Sequence, residues 1–233
     1  FGSWSKRIGL FMNPLTDTFL SCLVRGERRE LVFPDNLLLQ AATTFLRYPI
    51  MEDSDVPGLV VDVGMCVGAF TVAIRQCLPN CRVIGFEPYP PAWDYLEHNV
   101  GKMKDIEIRH LALSDRAGQV SLSYPNALVR LGNSSIYGDG INAYDAPTAR
   151  MDDEIHEPVC FLKIDVEGAE LDVLRGAERI LTTYHPITMI EMKNLHQKRA
   201  GRTTADILEI MERFGYNDRV AYTPGDIIFM VKV

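Results

Sequence analysis

The chain has 233 residues and a formal net charge of −7 at pH 7, with 47% hydrophobic and 24% charged residues. This length is sufficient for one α/β domain with a substantial core and is short for two domains. The acidic balance argues against a nucleic-acid partner, for which a basic surface is typical. No apolar run approaches the roughly twenty residues that a bilayer-spanning helix requires.

The cysteine content favours a reducing, cytoplasmic compartment. The count is odd and the spacing completes no zinc site of paired cysteines. Because the chain begins with Phe1 rather than methionine, we treat its N-terminus as open to truncation. The five cysteines are Cys22, Cys66, Cys77, Cys81 and Cys160.

Residues 1–58 are predicted to form an N-terminal helical or cap segment. The apolar residues of 37–46 have a helical period and follow a Pro-Asp-Asn start signal. Residues 59–233 are predicted to form one compact domain, because strand and helix patterns alternate from residue 59 onwards.

The alternation predicts a mostly parallel sheet with helices on both faces. The last two strands are separated by a short turn at 223–226 and are expected to form an antiparallel hairpin. Helices are expected after Glu87, after the strand at 159–165, and over 203–214. The predicted strands are 59–63, 82–86, 106–112, 120–124, 159–165, 187–192, 219–222 and 226–233.

The stretch 125–150 is rich in Asn, Gly, Ser, Tyr and Asp and has weak periodicity. A loop of this length inside a compact domain is usually functional. We therefore predict a polar lid over the binding site.

The first strand of the domain leads into a loop suited to a nucleotide-like ligand. Gly64 and Gly68 allow the backbone to approach a ligand closely, and a helix begins directly afterwards. The next strand ends in Glu87, which is placed to accept hydrogen bonds from ribose hydroxyls. The glycine spacing differs from Gly-x-Gly-x-x-Gly, so a dinucleotide site is not expected.

Four segments together resemble the FkbM family of S-adenosylmethionine-dependent methyltransferases. The last of them, Leu-Lys-Ile-Asp-Val-Glu-Gly-Ala-Glu, is the most specific. The resemblance implies a Rossmann-like class I methyltransferase fold with a seven-stranded sheet. The segments are 60–71, 85–88, 111–115 and 162–170.

The resemblance also implies which residues contact each part of the cofactor. The loop from Gly64 to Gly68 is expected to line the methionine portion, Glu87 to accept from the ribose, and the residues at 88 and 112–114 to flank the adenine. The cofactor-binding residues predicted for S-adenosylmethionine are Asp62, Gly64, Met65, Cys66, Gly68, Thr71, Glu87, Pro88, Ala112, Leu113, Ser114 and Asp165.

The glycine loop departs from the family pattern at Met65 and Cys66, where the usual residues are Ala and Asn. The asparagine side chain can hydrogen-bond the cofactor, whereas backbone amides can serve in its absence. The departure keeps open a second hypothesis, a non-catalytic domain that binds the cofactor and serves as a partner.

Lys163, Asp165 and Glu191 are the predicted catalytic residues. Lys163 and Asp165 are two apart on one strand and therefore leave the same face, and Glu191 ends the neighbouring strand. Desolvation of the lysine would make it a better base. The alternative is a buried ion network that only braces the sheet. Glu167 and Glu170 are expected to favour the start of their helix.

A metal-dependent form of this mechanism is a further hypothesis. Asp165 and Glu191, joined by Asn194 or His196, could hold Mg²⁺ and orient a diol acceptor.

The sequence therefore predicts an S-adenosylmethionine-dependent O-methyltransferase. The resemblance implies an acceptor hydroxyl on a small molecule or a sugar. A ribose 2′-O-methyltransferase acting on RNA is an alternative, because a Lys–Asp pair with an acid resembles that chemistry, although the charge speaks against it.

Overall fold

The computed structural model describes residues 8–12, 17–24, 27–34, 58–78, 80–123, 135–137, 144–221 and 225–231. Its strands are β1 (Ile8–Met12), β2 (Asp17–Val24), β3 (Glu27–Pro34), β4 (Leu59–Val63), β5 (Arg82–Phe86), β6 (Ile106–Arg109), β7 (Ala112–Leu113), β8 (Gly118–Leu122), β9 (Tyr144–Ala149), β10 (Val159–Ile164), β11 (Ile187–Glu191), β12 (Asp218–Ala221) and β13 (Asp226–Met230). Its helices are α1 (Ala69–Cys77), α2 (Pro90–Val100), α3 (Met151–Glu154), α4 (Glu170–Arg175), α5 (Glu178–Tyr184), α6 (Asn194–Arg199) and α7 (Thr204–Arg213).

Seven strands form the central sheet in the order β12-β13-β11-β10-β4-β5-β6. The neighbours from β11 to β6 are parallel, whereas β13 is antiparallel to β11 and β12. This confirms the predicted mostly parallel seven-stranded sheet and its closing hairpin. From β4 the chain adds strands outward to β6, and from β10 it adds strands outward in the opposite direction to β12. The strand order therefore switches between β4 and β10, which is where sheets of this kind bind ligands.

Both faces of the sheet are covered, as the continuous apolar run of β4 predicts. Val61 and Val63 belong to a buried cluster that contains α4 and α5 side chains such as Leu174 and Ile180. Val60, on the opposite face, belongs to a cluster with α1 side chains. Within the described ranges, no helix combines the length and the apolar character needed to cross a membrane.

A second, three-stranded sheet with the order β7-β9-β8 corrects two predictions. The strand expected over 106–112 ends at Arg109, and Ala112–Leu113 joins this smaller sheet instead. The end of the predicted lid is the strand Tyr144–Ala149, which pairs with Gly118–Leu122. Its buried side chains are Ala146 and Thr148, which are too small to give a clear alternating pattern. Residues 124–134 and 138–143 of the lid lie outside the described residues.

The described part of the N-terminal segment is not helical. Strands β1, β2 and β3 form an antiparallel sheet there, and the cap role stays a prediction. The helix predicted over 37–46 lies outside the described residues. The helix predicted after β10 is divided into α4 and α5 at Gly176, where a Cβ atom would lie 2.0 Å from the carbonyl oxygen of Ser114.

The unusual Met65 of the glycine loop is accommodated by a glycine in the next strand. Met65 is 2% exposed. A Cβ atom on Gly85 would lie 1.8 Å from its sulfur. The absence of a side chain at Gly85 therefore makes the space that Met65 fills.

Gly85→Ala is expected to lower the free energy of unfolding by about 1–3 kcal/mol, the usual cost of overpacking a core. Urea unfolding of a double-mutant cycle with Met65→Ala measures this. The cost of Gly85→Ala should be smaller by about 1 kcal/mol or more in the Met65→Ala background. An equal cost in both backgrounds would show that the Met65 contact is not its cause.

Candidate functional site

The loop after β4 is held in a tight, partly left-handed conformation. Gly64 and Gly68 have φ of 81° and 84°, and Cys66 has φ of 51° without being a glycine. The amides of Gly64 and Met65 both donate to the carbonyl oxygen of Phe86, at 3.0 and 3.1 Å. A Cβ atom on Gly64 would lie 1.9 Å from the carbonyl oxygen of Asp165. The loop therefore passes directly against the backbone at the end of β10.

Glu87 is clasped between two backbone amides. The amide of Cys66 donates to Oε2 at 2.7 Å, and that of Tyr89 donates to Oε1 at 2.8 Å. Cys66 makes this contact while holding a left-handed φ of 51°. Glu87 is 5% exposed, and burial raises its pKa to about 7 although both amides act in the other direction.

A cleft opens at the carboxyl ends of β4, β5 and β10 and encloses about 780 Å³ including its open mouth. The structure brings eight of the twelve predicted cofactor-binding residues to its lining, together with Glu167 and Ile136. The eight are Gly64, Cys66, Glu87, Pro88, Ala112, Leu113, Ser114 and Asp165.

The other four predicted residues lie beneath the loop or at its end. Gly68 precedes α1 with left-handed φ, and Met65 is buried. Thr71 donates its hydroxyl to Oδ2 of Asp62 at 2.7 Å, and both side chains are fully buried. These residues shape the loop and do not line the cleft.

Lys163 lies beneath the loop as well. Its ammonium donates to the carbonyl oxygen of Gly64 at 2.7 Å and is 3.3 Å from Oδ1 of Asp62. Oδ2 of Asp165 lies 3.8 Å away on its other side. Only 7% of the lysine side chain is exposed, so it neutralises Asp62 inside the fold and tethers the glycine loop to β10.

Asp165 follows the end of β10, and Glu191 ends the neighbouring parallel strand β11. Burial and the Glu191 carboxylate raise the pKa of Asp165 to about 7, although Lys163 and Lys193 lower it. Lys193 is 2.5 Å from Oε1 of Glu191. Asp165 lines the cleft, whereas Lys163 and Glu191 do not belong to its lining.

The turn after β10 contains two acids, Glu167 and Glu170, whose placement differs in part from the sequence prediction. Glu170 begins α4 as expected, but its Oε1 also accepts from the amides of Val166 and Gly168 at 3.3 and 3.1 Å and so shapes the turn. Burial raises the pKa of Glu170 to about 7. Glu167 lies outside the helix, has φ of 58° and lines the cleft. The sequence signal for the position of Glu167 was the Glu-Gly pair that follows the buried strand β10.

His196 joins Glu167 and Glu191. Its Nδ1 is 2.9 Å from Oε2 of Glu167 and 3.7 Å from Oε2 of Glu191. Hydrogen bonding to these two carboxylates raises the pKa of His196 to about 9. Asn194, the fourth ligand considered for magnesium, instead accepts from the hydroxyl of Thr204 at 3.3 Å.

Four of the curated relatives are named as methyltransferases. "Methyltransferase sdnD" of Sordaria araneosa is 26% identical over 155 residues, covering 51% of this chain and 60% of the relative. "2-O-methyltransferase NoeI" of Sinorhizobium fredii is 25% identical, covering 53% and 59%. "Hexuronic acid methyltransferase AglP" of Haloferax volcanii is 27% identical, covering 57% and 55%. The matched part thus spans about three fifths of the length of these relatives.

Solved structures share the fold. The crystal structure of methyltransferase FkbM from Methylobacillus flagellatus has a TM-score of 0.56 at 18% identity, covering 81% of this chain and 47% of that one. Aeropyrum pernix fibrillarin with natively bound S-adenosyl-L-methionine has a TM-score of 0.50 at 15% identity, covering 97% and 99%. At these identities the likeness concerns the fold, which is Rossmann-like.

The family described as the methyltransferase FkbM domain matches residues 62–217. This range begins at the buried Asp62 beneath the glycine loop. It includes Glu87, the turn from Asp165 to Glu170, and the cluster around His196. Because the match covers well over half of the chain and the whole of the described cleft from Val63 onward, the chain belongs to the FkbM methyltransferase family.

Proposed function

We propose that the protein is an S-adenosylmethionine-dependent O-methyltransferase whose acceptor is a hydroxyl of a small molecule or a sugar. One observation carries the proposal: a single cleft is lined by both the amide-bound Glu87 and Asp165. Membership of the FkbM family supports methyl transfer. The relatives NoeI and AglP, named for 2-O- and hexuronic acid methylation, support an oxygen acceptor.

The residues of the cleft fit the proposed cofactor. Each oxygen of Glu87 accepts one backbone amide, and a carboxylate oxygen has two lone pairs, so both oxygens can also accept from ribose hydroxyls. Pro88, Ala112 and Leu113 offer apolar surface for a base ring. The Cys66 departure leaves the loop's own backbone contact with Glu87 in place. When bound, S-adenosylmethionine supplies an electrophilic methyl group for the acceptor oxygen.

Asp165 is the residue best suited to remove the acceptor's proton. Its carboxyl lines the cleft, and a pKa of about 7 leaves a large carboxylate fraction at neutral pH together with useful basicity. Glu191 raises that basicity by repulsion, and Lys163 limits it. We therefore assign proton removal to Asp165, and assign Lys163 and Glu191 to positioning.

S-adenosylhomocysteine is expected to bind with micromolar affinity in calorimetric titration, and NAD is expected not to bind. Glu87→Gln should weaken S-adenosylhomocysteine binding by about 10–100-fold, because a charge-assisted hydrogen bond contributes roughly 1.5–3 kcal/mol. Glu178→Gln, an exposed glutamate of α5, is the matched control. Since the carboxylate is the better acceptor, affinity should rise with pH up to about 7 and then level off. Equal binding by Glu87→Gln would remove Glu87 from the cofactor site.

Lys163→Met is expected to destabilise the protein by about 3–5 kcal/mol, because it leaves the buried charge of Asp62 unpaired. The affinity for S-adenosylhomocysteine should fall together with the stability, because the hydrogen bond from Lys163 to the Gly64 carbonyl is lost. The double variant with Asp62→Asn should recover much of the stability, and Lys102→Met provides an exposed control. A different outcome would contradict this: if Lys163→Met keeps wild-type stability and cofactor affinity but loses methyl transfer, the lysine has a direct catalytic role.

Asp165→Asn is expected to lower kcat by about 10²–10⁴, the usual contribution of a general base. The assay offers sugars, uronic acids and polyketide-like alcohols with radiolabelled cofactor and identifies the methyl ether by mass spectrometry. Below pH 7 the wild-type rate should fall about tenfold per pH unit, as the carboxylate fraction does, and Asp165→Asn should not show this step. Asp153→Asn, on the exposed side of α3, is the control.

Two outcomes of this assay would contradict the proposal. An unchanged rate and pH profile in Asp165→Asn would exclude the aspartate as the base. Tight S-adenosylhomocysteine binding with no methylated product from any acceptor would favour the non-catalytic binding domain.

A further inference from the structure

We propose that Glu167, Glu191 and His196 bind a divalent transition-metal ion at the side of the cleft. The three residues come from different elements: the turn after β10, the end of β11 and the helix α6. One ligand atom from each lies within 4.8 Å of the other two. The site goes beyond methyl transfer, because neither the family match nor the named relatives assign a metal to it.

The two separations measured from His196 are close to those around a single ion. Metal–nitrogen and metal–oxygen bonds of about 2.0–2.2 Å at tetrahedral or octahedral angles place neighbouring ligand atoms roughly 3.0–3.4 Å apart. Nδ1 of His196 is 2.9 Å from Oε2 of Glu167 and 3.7 Å from Oε2 of Glu191. Shifts of a few tenths of an ångström would bring both pairs to that spacing.

One buried carboxylate oxygen of the cluster, Oε2 of Glu191, accepts no hydrogen bond from the described residues. Nδ1 of His196 is paired with Glu167 and lies 3.7 Å from this oxygen. The Glu191 side chain is only 9% exposed, and its other oxygen is held by Lys193, which directs Oε2 into the cluster. Buried polar atoms are normally satisfied, and a metal ion bound beside Oε2 of Glu191 would satisfy it.

The surroundings hold the cluster in place. The left-handed Glu167 is fixed by the Ser135 hydroxyl, which donates to its carbonyl oxygen at 2.7 Å. Gly168, with φ of 116°, lets the turn approach the backbone of His196, since a Cβ there would be 3.0 Å from its carbonyl oxygen.

The ligand set selects the class of metal. Two carboxylate oxygens and one imidazole nitrogen suit zinc, manganese or cobalt better than magnesium, which prefers oxygen ligands alone. The magnesium site considered from the sequence lacks this support, because Asn194 is engaged with Thr204 and Asp165 is not part of the cluster. Three protein ligands would leave an open position, the arrangement of a metal that contacts solvent or substrate.

Titration of the whole chain, freed of metal by a chelator, with cobalt chloride tests the site directly. Visible absorption should show one equivalent bound without a thiolate charge-transfer band, and zinc chloride should displace it. His196→Asn and Glu191→Gln should each weaken cobalt binding by more than about 100-fold, beyond the 10–100-fold that outer partners contribute. His98→Asn, an exposed histidine of α2, should bind like the wild type, and magnesium chloride should not compete.

Neither cofactor nor acceptor is present in this titration, so its outcome is independent of the proposed methyl transfer. Circular dichroism of each variant establishes folding, and Glu191→Asp keeps a carboxylate and should retain part of the affinity. A zinc-dependent rise in Tm should occur in the wild type and be absent in His196→Asn. Absence of stoichiometric binding, or equal binding by a folded His196→Asn, would overturn the site and leave a proton-bridged ion network.

Discussion

The site depends on one buried charge interaction, the pairing of Lys163 with Asp62. Both residues lie at equivalent register positions of the neighbouring central strands β10 and β4. A carboxylate that is fully buried needs a compensating charge, and the lysine supplies it while also donating to the Gly64 carbonyl. The same ammonium therefore fixes the charge balance of the sheet and the start of the glycine loop. Thr71 completes the arrangement by tying the first turn of α1 to the same carboxylate.

This constraint joins the two halves of the cleft. Gly64, on the side proposed for the cofactor, touches the backbone of Asp165, on the side proposed for proton removal. The side chain of Asp165 is in turn within reach of Lys163. A displacement of either loop must therefore move the other. In a reaction that depends on alignment of donor and acceptor, such rigid coupling keeps the reacting groups in register.

Sequence periodicity was sufficient to predict the strands of the central sheet, because these strands are buried on both faces or end in strong turn signals. It also identified the residues that meet at the strand ends, since carboxyl ends of parallel strands share one edge. It failed where side-chain size hid the pattern, as in the strand Tyr144–Ala149. It also failed for Glu167, whose left-handed backbone turns the side chain away from the helix that follows. Residue type alone does not reveal such a φ value, which here depends on Ser135, a contact between distant segments.

The buried carboxyls of the site lower the stability of the folded chain at neutral pH when no ligand is bound. Burial raises the pKa of Glu87 and of Glu170 to about 7, so each favours folding while protonated at low pH. That contribution is lost as pH rises through about 7 and the buried carboxyls ionise. The backbone amides that clasp both carboxylates offset only part of the desolvation. Hydrogen-bond donors from a ligand at Glu87 would offset more, and by mass action the binding of such a ligand stabilises the folded chain. Ligand affinity and the stability of these loops near neutral pH are therefore set by the same few contacts.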